Sequence, residues 1–423
     1  MSTEHAEVWV TGIGLVSSLG EGLDAHWEQL APGKTPSPSV DTESQAPFPL
    51  HPIVDFDIST QIPKRSDQRQ MGQWQHLGTY AAGLALDDAG IAHDPDLLAQ
   101  TNMIVAAGGG ERDLDVDSQI MEALAAGDVD DPGTYLNNTL MTELRPTLFL
   151  AQLSNLMAGN ISIVHGVTDS SRTFMGEEMA GVSAVETAVG QIRHGQGELF
   201  LVGGAYIAER ADMTMLWEFG HTLWSGQQGP VWERKDSDGG MVMGSAGAFL
   251  VLESKEHAEA RGARPYARID SVVAGRSSRK GNAATEMAAG LLEKIADRIP
   301  EGPLPVLTGC CGVQPHLNEE LEFLNTLSEK GADPAIRGVT SVLGNTLETQ
   351  FPVNVILASL AISKGAFFDP FDDSGVEQAF SGEPEQVLIS NWGHWRGESL
   401  ALVDKPDTPL RGQDLSLIHI SEP

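Results

Sequence analysis

Cysteine is nearly absent from this 423-residue chain. The two thiols, Cys310 and Cys311, are adjacent, so they build no disulfide framework and point to a reducing compartment. Long apolar runs are absent too, since none approaches the roughly 20 residues of a membrane span. The opening MSTEHAEVWV has neither a basic region nor an apolar segment, so no secretory signal is expected and the expected location is cytoplasmic. Basic side chains are scarce: 26 Lys and Arg stand against 59 Asp and Glu, a net charge of −33. Such a surface repels nucleic acid and anionic membranes, so neither is expected as a partner. The simplest reading of the charge is a surface adapted to a salty cytoplasm. An apolar content of 41% with 20% charged residues fits a folded protein with a sizeable core.

The rest of the chain is organised around SRTFMGEEMAGVSAVETAVGQIRHGQGELFLVGG, from Ser171 to Gly204. Ala180, Gly181, Ala184, Ala188 and Gly190 are small, so their helix can be packed closely from most sides. Gly195 follows its end, and Leu199 to Val202 reads as a buried strand. Upstream, Val8 to Val10 reads as a short strand, followed by a glycine-punctuated turn and a helix from near Gly22. Gly12-x-Gly14 lacks the third glycine and the later acidic residue of a dinucleotide loop, so no nucleotide site is expected. Residues 35 to 70 read as irregular. A helix carrying Leu77 to Ala89 and a strand at Met103 to Ala107 follow, then helices near Val116 to Ala126 and Thr139 to Leu144. Met157-Ala158-Gly159 reads as a helix end, with a strand after it near Ile161 to Val164. The second half repeats this outline. It has a strand at Pro305 to Thr308 and another near Gly338 to Val342. A helix at Val353 to Ser363 and a hairpin from Gln386 to Val403 follow. His165, His194, His316 and His394 show no metal-ligand spacing among themselves, so neither a metal nor a cofactor is expected.

Several stretches resemble the β-ketoacyl synthases: TG-x-G-x-VS-x-LG from Thr11, AGNISI-x-x-G from Ala158 to Gly166, and the helix and strand from Gly190 to Ala205. A further match is the glycine-rich turn and strand from Gly239 to Gly262. The resemblance extends to about residue 404 and is weakest over 35 to 145. It implies an α/β thiolase fold, five-layer α/β/α/β/α, with two pseudo-repeated halves. The halves are 1–254 and 255–405, with 406–423 a tail outside the fold. The helix from near Glu178 should lie buried between two stacked sheets. In this family the region 111 to 145 packs against a partner subunit, and dimerisation occurs beside Leu153 to Gly166.

Condensation in this family needs a thiolate nucleophile, two imidazoles, a lysine and a Phe-Gly-Phe-Gly-Gly gating loop. Counting back from Gly195 places the thiol position on Glu178, and counting forward from Gly166 places it nearer Met175. The A-H-G-T-x-T-P turn, aligned on Pro315, puts Cys310 at the first histidine. The K-S-x-x-G-H turn, aligned on Thr340-Ser341 and Thr346, puts Leu343 at the lysine and Glu348 at the second histidine. The gating loop becomes Trp392-Gly393-His394-Trp395-Arg396-Gly397. In the P-F-D-x-x-R-x-G-F-x-x-GEGA segment, the arginine is replaced by Ser237 and the glutamate by Ser245. No residue is therefore named as catalytic, and Glu178, Cys310, Leu343 and Glu348 are degenerate catalytic positions.

These coordinated losses resemble the cysteine-less chain-length factors of polyketide and polyene systems. The resemblance implies a non-catalytic subunit paired with an active β-ketoacyl synthase as a heterodimer, or a homodimer, with an acyl carrier protein as a further partner. The alternative is altered chemistry on carrier-bound acyl or malonyl thioesters, such as decarboxylation. Cysteine-less relatives with that activity keep their histidines. Glu178 and Glu348 are either an acid–base pair or carboxylates filling a disused cleft. Cys310 and Cys311 are either buried small hydrophobes or a reactive thiol.

Overall fold

The computed structural model describes residues 6–127 and 129–407, so the expected tail from 406 lies outside the described residues beyond Asp407. Its principal elements in the first half begin with Val8–Ser17 (β1), Gly22–Leu30 (α1), Gln73–Asp88 (α2) and Asn102–Ala106 (β2). Leu114–Ala126 (α3), Pro132–Glu143 (α4), Leu156–His165 (α5) and Ser171–Phe174 (β3) come next. Glu178–Arg193 (α6), Leu199–Tyr206 (β4), Ala211–Phe219 (α7) and Ala246–Ser254 (β5) complete it. The second half contains Ala267–Gly275 (β6), Ala283–Glu293 (α8), Gly302–Thr308 (β7) and His316–Asn325 (α9). Ala332–Gly338 (β8), Gln350–Lys364 (α10), Gln386–Trp392 (β9) and Glu398–Asp404 (β10) follow.

The strands run in the order β8-β7-β9-β10-β6-β1-β5-β4-β2-β3. From the centre outward, each half has two antiparallel pairings followed by two parallel ones. The halves thus share one strand order, and α6 and α10 occupy equivalent places in it. The two five-stranded sheets join only where Val8, Trp9 and Val10 pair with Ile269, Arg268 and Ala267.

Side-chain alternation along the strands sorts the core into layers. Phe200 and Val202 of β4, Leu250 and Leu252 of β5, and Val387 and Ile389 of β9 point to a central cluster shared with α6 and α10. Leu199, Leu201, Phe249 and Val251 point the other way, toward α2 and α5. Leu388, Leu400 and Leu402 pack against α8 and α9. Five layers result, with α6 and α10 in contact between the sheets, as the resemblance implies. Small residues make the middle layer possible: a Cβ on Gly181 would lie 2.4 Å from the Glu348 carbonyl oxygen.

Three local expectations need correction. The glycine-punctuated stretch after Val10 is strand, not turn: β1 continues to Ser17. Its glycines serve packing, because a Cβ on Gly14 would lie 2.0 Å from the Ala81 carbonyl oxygen of α2. The segment expected as a strand near Ile161 to Val164 is the second half of α5, which closes at Gly166 with φ 78°. Ile161 is buried and Ile163 is 68% exposed, whereas a strand would place both on one face. The outer edge strand of this half is β3 instead. Gly338 ends β8, and the Thr340–Leu343 stretch expected to continue it is a helical turn.

Candidate functional site

Four connections meet at one end of the central layer: those leaving β3, β7, β8 and β9. In α/β sheets the C-terminal ends of strands are where such turns build sites. The β3 connection ends at Glu177, whose φ of 54° is rare for a residue with a side chain, and α6 begins at Glu178.

Glu178 is buried and engaged from two other connections. His394 Nδ1 lies 2.9 Å from its Oε1 and 3.1 Å from its Oε2. The His394 backbone N–H donates to Oε1 at 3.2 Å, and Asn345 Nδ2 donates to it at 3.4 Å. Burial alone would push the Glu178 carboxyl upward, but the His394 charge and these hydrogen bonds outweigh it and hold the group below its ordinary value. Burial disfavours the His394 imidazolium, yet Glu178 and Glu177 outweigh it and raise that group. The two form a charged pair inside the protein.

The turn bearing His394 is held in place. Trp392 is buried against Phe323, with ring centroids 5.8 Å apart. Arg279 donates to the Gly393 and Gly397 carbonyl oxygens and pairs with Glu398. The Trp217 ring stands edge-on to His394, centroids 5.0 Å apart. Trp395 and Arg396 form the exposed tip.

Two motifs admit a second register. Gly312, with φ 82°, leaves no room for a side chain, since a Cβ would lie 2.5 Å from the Gly240 carbonyl oxygen. Matching it to the glycine of A-H-G-T puts Cys311, not Cys310, in the histidine's place. Cys310 packs in the outer cluster with its Sγ 3.5 Å from Thr340 Oγ1. Cys311 packs beside Tyr206, Trp217 and Met241 and feels the Glu178 charge. Burial pushes the Cys311 thiol up to about 12 and raises Cys310 well above its ordinary value, so neither is a ready thiolate. In K-S-x-x-G-H, Ser341 and Gly344 match directly, which places Thr340 at the lysine and Asn345 at the second histidine. Leu343, the sequence-based choice for the lysine, points into the central core. Glu348 lies one turn beyond Asn345, buried, with Oε2 lacking a hydrogen-bond partner among the described residues. Burial, then the nearby Glu178 and Glu177 carboxylates, push Glu348 up to about 7.

Met175 is 59% exposed and lies outside this cluster. Arg234, three residues before Ser237, is buried and donates to the Gly240 carbonyl oxygen at 2.6 Å. Ser245 Oγ accepts from the Ala208 backbone N–H at 2.7 Å and donates to Glu209, whose carboxylate comes from a different loop. The degenerate positions Glu178 and Glu348 and the gating-loop residue His394 all lie on the connections leaving β3, β8 and β9. Sequence reasoning missed Asn345, Cys311, Glu177 and Arg279. The Gly344-Asn345 dipeptide in place of Gly-His was the available signal for the first of these.

The family profile described as "Beta-ketoacyl synthase, N-terminal domain" matches residues 5–258. The chain is 26% identical over 271 residues to 3-oxoacyl-[acyl-carrier-protein] synthase 2 of Vibrio harveyi, covering 62% of this chain and 61% of that protein. It therefore spans less than two thirds of that relative. It is 24% identical over 373 residues to the oxytetracycline polyketide putative beta-ketoacyl synthase 1 of Streptomyces rimosus, covering 85% of each. Among solved structures, the ishigamide ketosynthase/chain length factor superposes with a TM-score of 0.74 at 22% identity, over 95% of this chain and 99% of that one. The PfaC keto synthase-chain length factor gives 0.76 at 19% identity, over 96% of this chain and 49% of that one. At these identities the structural likeness establishes the thiolase fold.

Proposed function

The chain belongs to the β-ketoacyl synthase family, and from that premise we propose that it is a non-catalytic, chain-length-factor-like subunit paired with an active synthase in fatty-acid or polyketide biosynthesis. One observation carries the reading: Glu178 stands at the thiol position in a closed ion pair with His394, while both thiols nearby are held neutral. An attacking group must be free and deprotonated, and the Glu178 carboxylate is already committed to donors. Cys311 and Asn345 at the two histidine positions supply no imidazole for an oxyanion.

The partner side of the reading rests on surface chemistry. Met121, Met141, Phe149, Ile163, Met215 and Phe219 are all more than half exposed, and all lie between α3 and the end of α7. The same stretch of chain contributes β3, whose outer edge has no strand beside it among the described residues. An apolar surface next to an open strand edge suits a large obligate interface. An acyl carrier protein is the third component of this reading, docking at the active partner. Co-expression with a cysteine-bearing synthase from the same genome tests it. A one-to-one complex on size exclusion, inactive only when the synthase cysteine is removed, is expected. A soluble monomer indifferent to the synthase would overturn it.

A second reading is altered chemistry on a carrier-bound malonyl group. It is favoured by Glu348 at about 7, where a carboxyl exchanges protons near neutrality. Decarboxylation of malonyl-carrier by the isolated chain, lost in Glu348→Gln, would replace the first reading with this one.

A further inference from the structure

Sequence spacing shows no metal motif, but folding brings His394 to the adjacent Glu177 and Glu178, more than two hundred residues earlier in the chain. One carboxylate oxygen from Glu177, one from Glu178 and a ring nitrogen of His394 all lie within 4.8 Å of one another. We propose that Glu177, Glu178 and His394 bind a divalent first-row transition cation at the start of α6, in the place of the family's thiol.

The donor chemistry fits. One imidazole with two carboxylates is a set that zinc and its neighbours accept. The 2.9 and 3.1 Å separations between His394 Nδ1 and the Glu178 oxygens are near the roughly 3.3 Å between two donors on a tetrahedral zinc with bonds of about 2.0–2.1 Å. A small rotation of Glu178 admits the ion.

The second observation is independent of this trio. Glu348 is buried, and its Oε2 has no hydrogen-bond partner among the described residues. Its residue packs against α6, where the Glu348 carbonyl oxygen would lie 2.4 Å from a Cβ on Gly181. Two carboxylates therefore gather around one imidazole, with a third buried on the helical turn that packs against α6. The α6 N-terminus offsets about half a unit of that charge. Arg279, on the far side of the turn, is committed to Glu398. Buried excess negative charge calls for a counter-ion, and a dication supplies it. Glu177 is half-buried, which gives an ion a way in. Once bound, it would tie the β9–β10 turn to α6. Binding would displace the proton between His394 and Glu178 and replace their ion pair by shared coordination, which still leaves no free nucleophile at that position.

The test uses untagged full-length protein. Metal content is measured after purification without chelator, and zinc chloride is titrated calorimetrically into chelator-stripped protein. About one zinc per chain is expected, with cobalt substitution giving visible absorption of a low-symmetry site. Ligand loss in His394→Ala should weaken zinc binding by about 100-fold, and Glu177→Gln by about 10-fold. His93→Ala, at an exposed histidine, should bind as wild type does. If His394→Ala fails to fold by circular dichroism, Glu177→Gln carries the test, because it leaves the Glu178–His394 pair intact. Wild-type protein that takes up no zinc, or Glu177→Gln that binds as tightly as wild type, overturns the proposal.

Discussion

At position 178 a buried carboxylate meets an imidazole supplied by a turn 216 residues away. Removing one partner of a buried pair strands the other, which costs about 3–5 kcal/mol. His394→Ala should therefore lose stability of that order in urea unfolding, whereas Glu178→Gln, which keeps volume and an acceptor, should lose less. The pair also sets a pH window. Glu178 lies below its ordinary 4.5, so its contribution is present above that pH and is lost as pH falls through the folded value. His394 lies above its ordinary 6.5, so its contribution is full below 6.5 and is lost as pH rises through the folded value. Glu348 adds to the alkaline loss. Its folded value of about 7 exceeds 4.5, so ionising it at higher pH costs the folded state up to about 3 kcal/mol. Glu348→Gln should decline less than wild type between pH 5 and 8, keeping only the loss due to His394, measured as melting temperature against pH. Parallel curves for the two proteins would show that Glu348 does not titrate in that range.

Elements were legible in the sequence where composition and period agreed. The small residues of α6 announced a helix packed on all sides, and the alternating apolar strands beside it announced the layers. Legibility failed where a residue served two purposes. Gly12 and Gly14 read as turn formers, but they lie in β1 because α2 passes too close for any side chain. Gly14→Ala should consequently act as a packing mutation, costing about 1–3 kcal/mol or more, since the obstructing atom is backbone and cannot rotate aside. Thermal unfolding checks it, with Gly22→Ala, where no atom lies within 4 Å, reporting the separate cost of a positive φ. The run Ile161 to Val164 misled for a related reason: alternate apolar residues suit a strand, but helix α5 buries Ile161 and leaves Ile163 outside. The site suffered from motif drift. Glu178 came from the count back from Gly195, while the count forward from Gly166 gave Met175, which lies 59% exposed outside the cluster. Asn345 was passed over although Ser341 and Gly344 stood in place to anchor its motif, whereas the Cys311 register rests on the positive φ of Gly312.

Over the whole molecule, the 59 acidic and 26 basic side chains leave a charge that the fold must hold together against itself. Much of that excess is exposed. The described ion pairs with a well-buried carboxylate, such as Arg268–Asp404 and Arg261–Glu253, use up only a few of the acidic groups. Repulsion among surface charges acts over the Debye length, about 10 Å at 0.1 M salt and about 3 Å at 1 M. Raising potassium chloride from 0.1 to 2 M should therefore raise the melting temperature by several degrees, most of it below 1 M, where the Debye length changes most. The Glu178–His394 pair is shielded from solvent, so the loss caused by His394→Ala should change little with salt. Apolar association behaves differently again. If the exposed side chains between α3 and α7 cover a partner, that contact should persist or tighten at 2 M salt, because screening removes repulsion between two acidic surfaces and leaves apolar burial intact. Sedimentation of the complex across the same salt series separates the two effects. A complex that dissociates at high salt would place ionic contacts, not the apolar surface, at its centre.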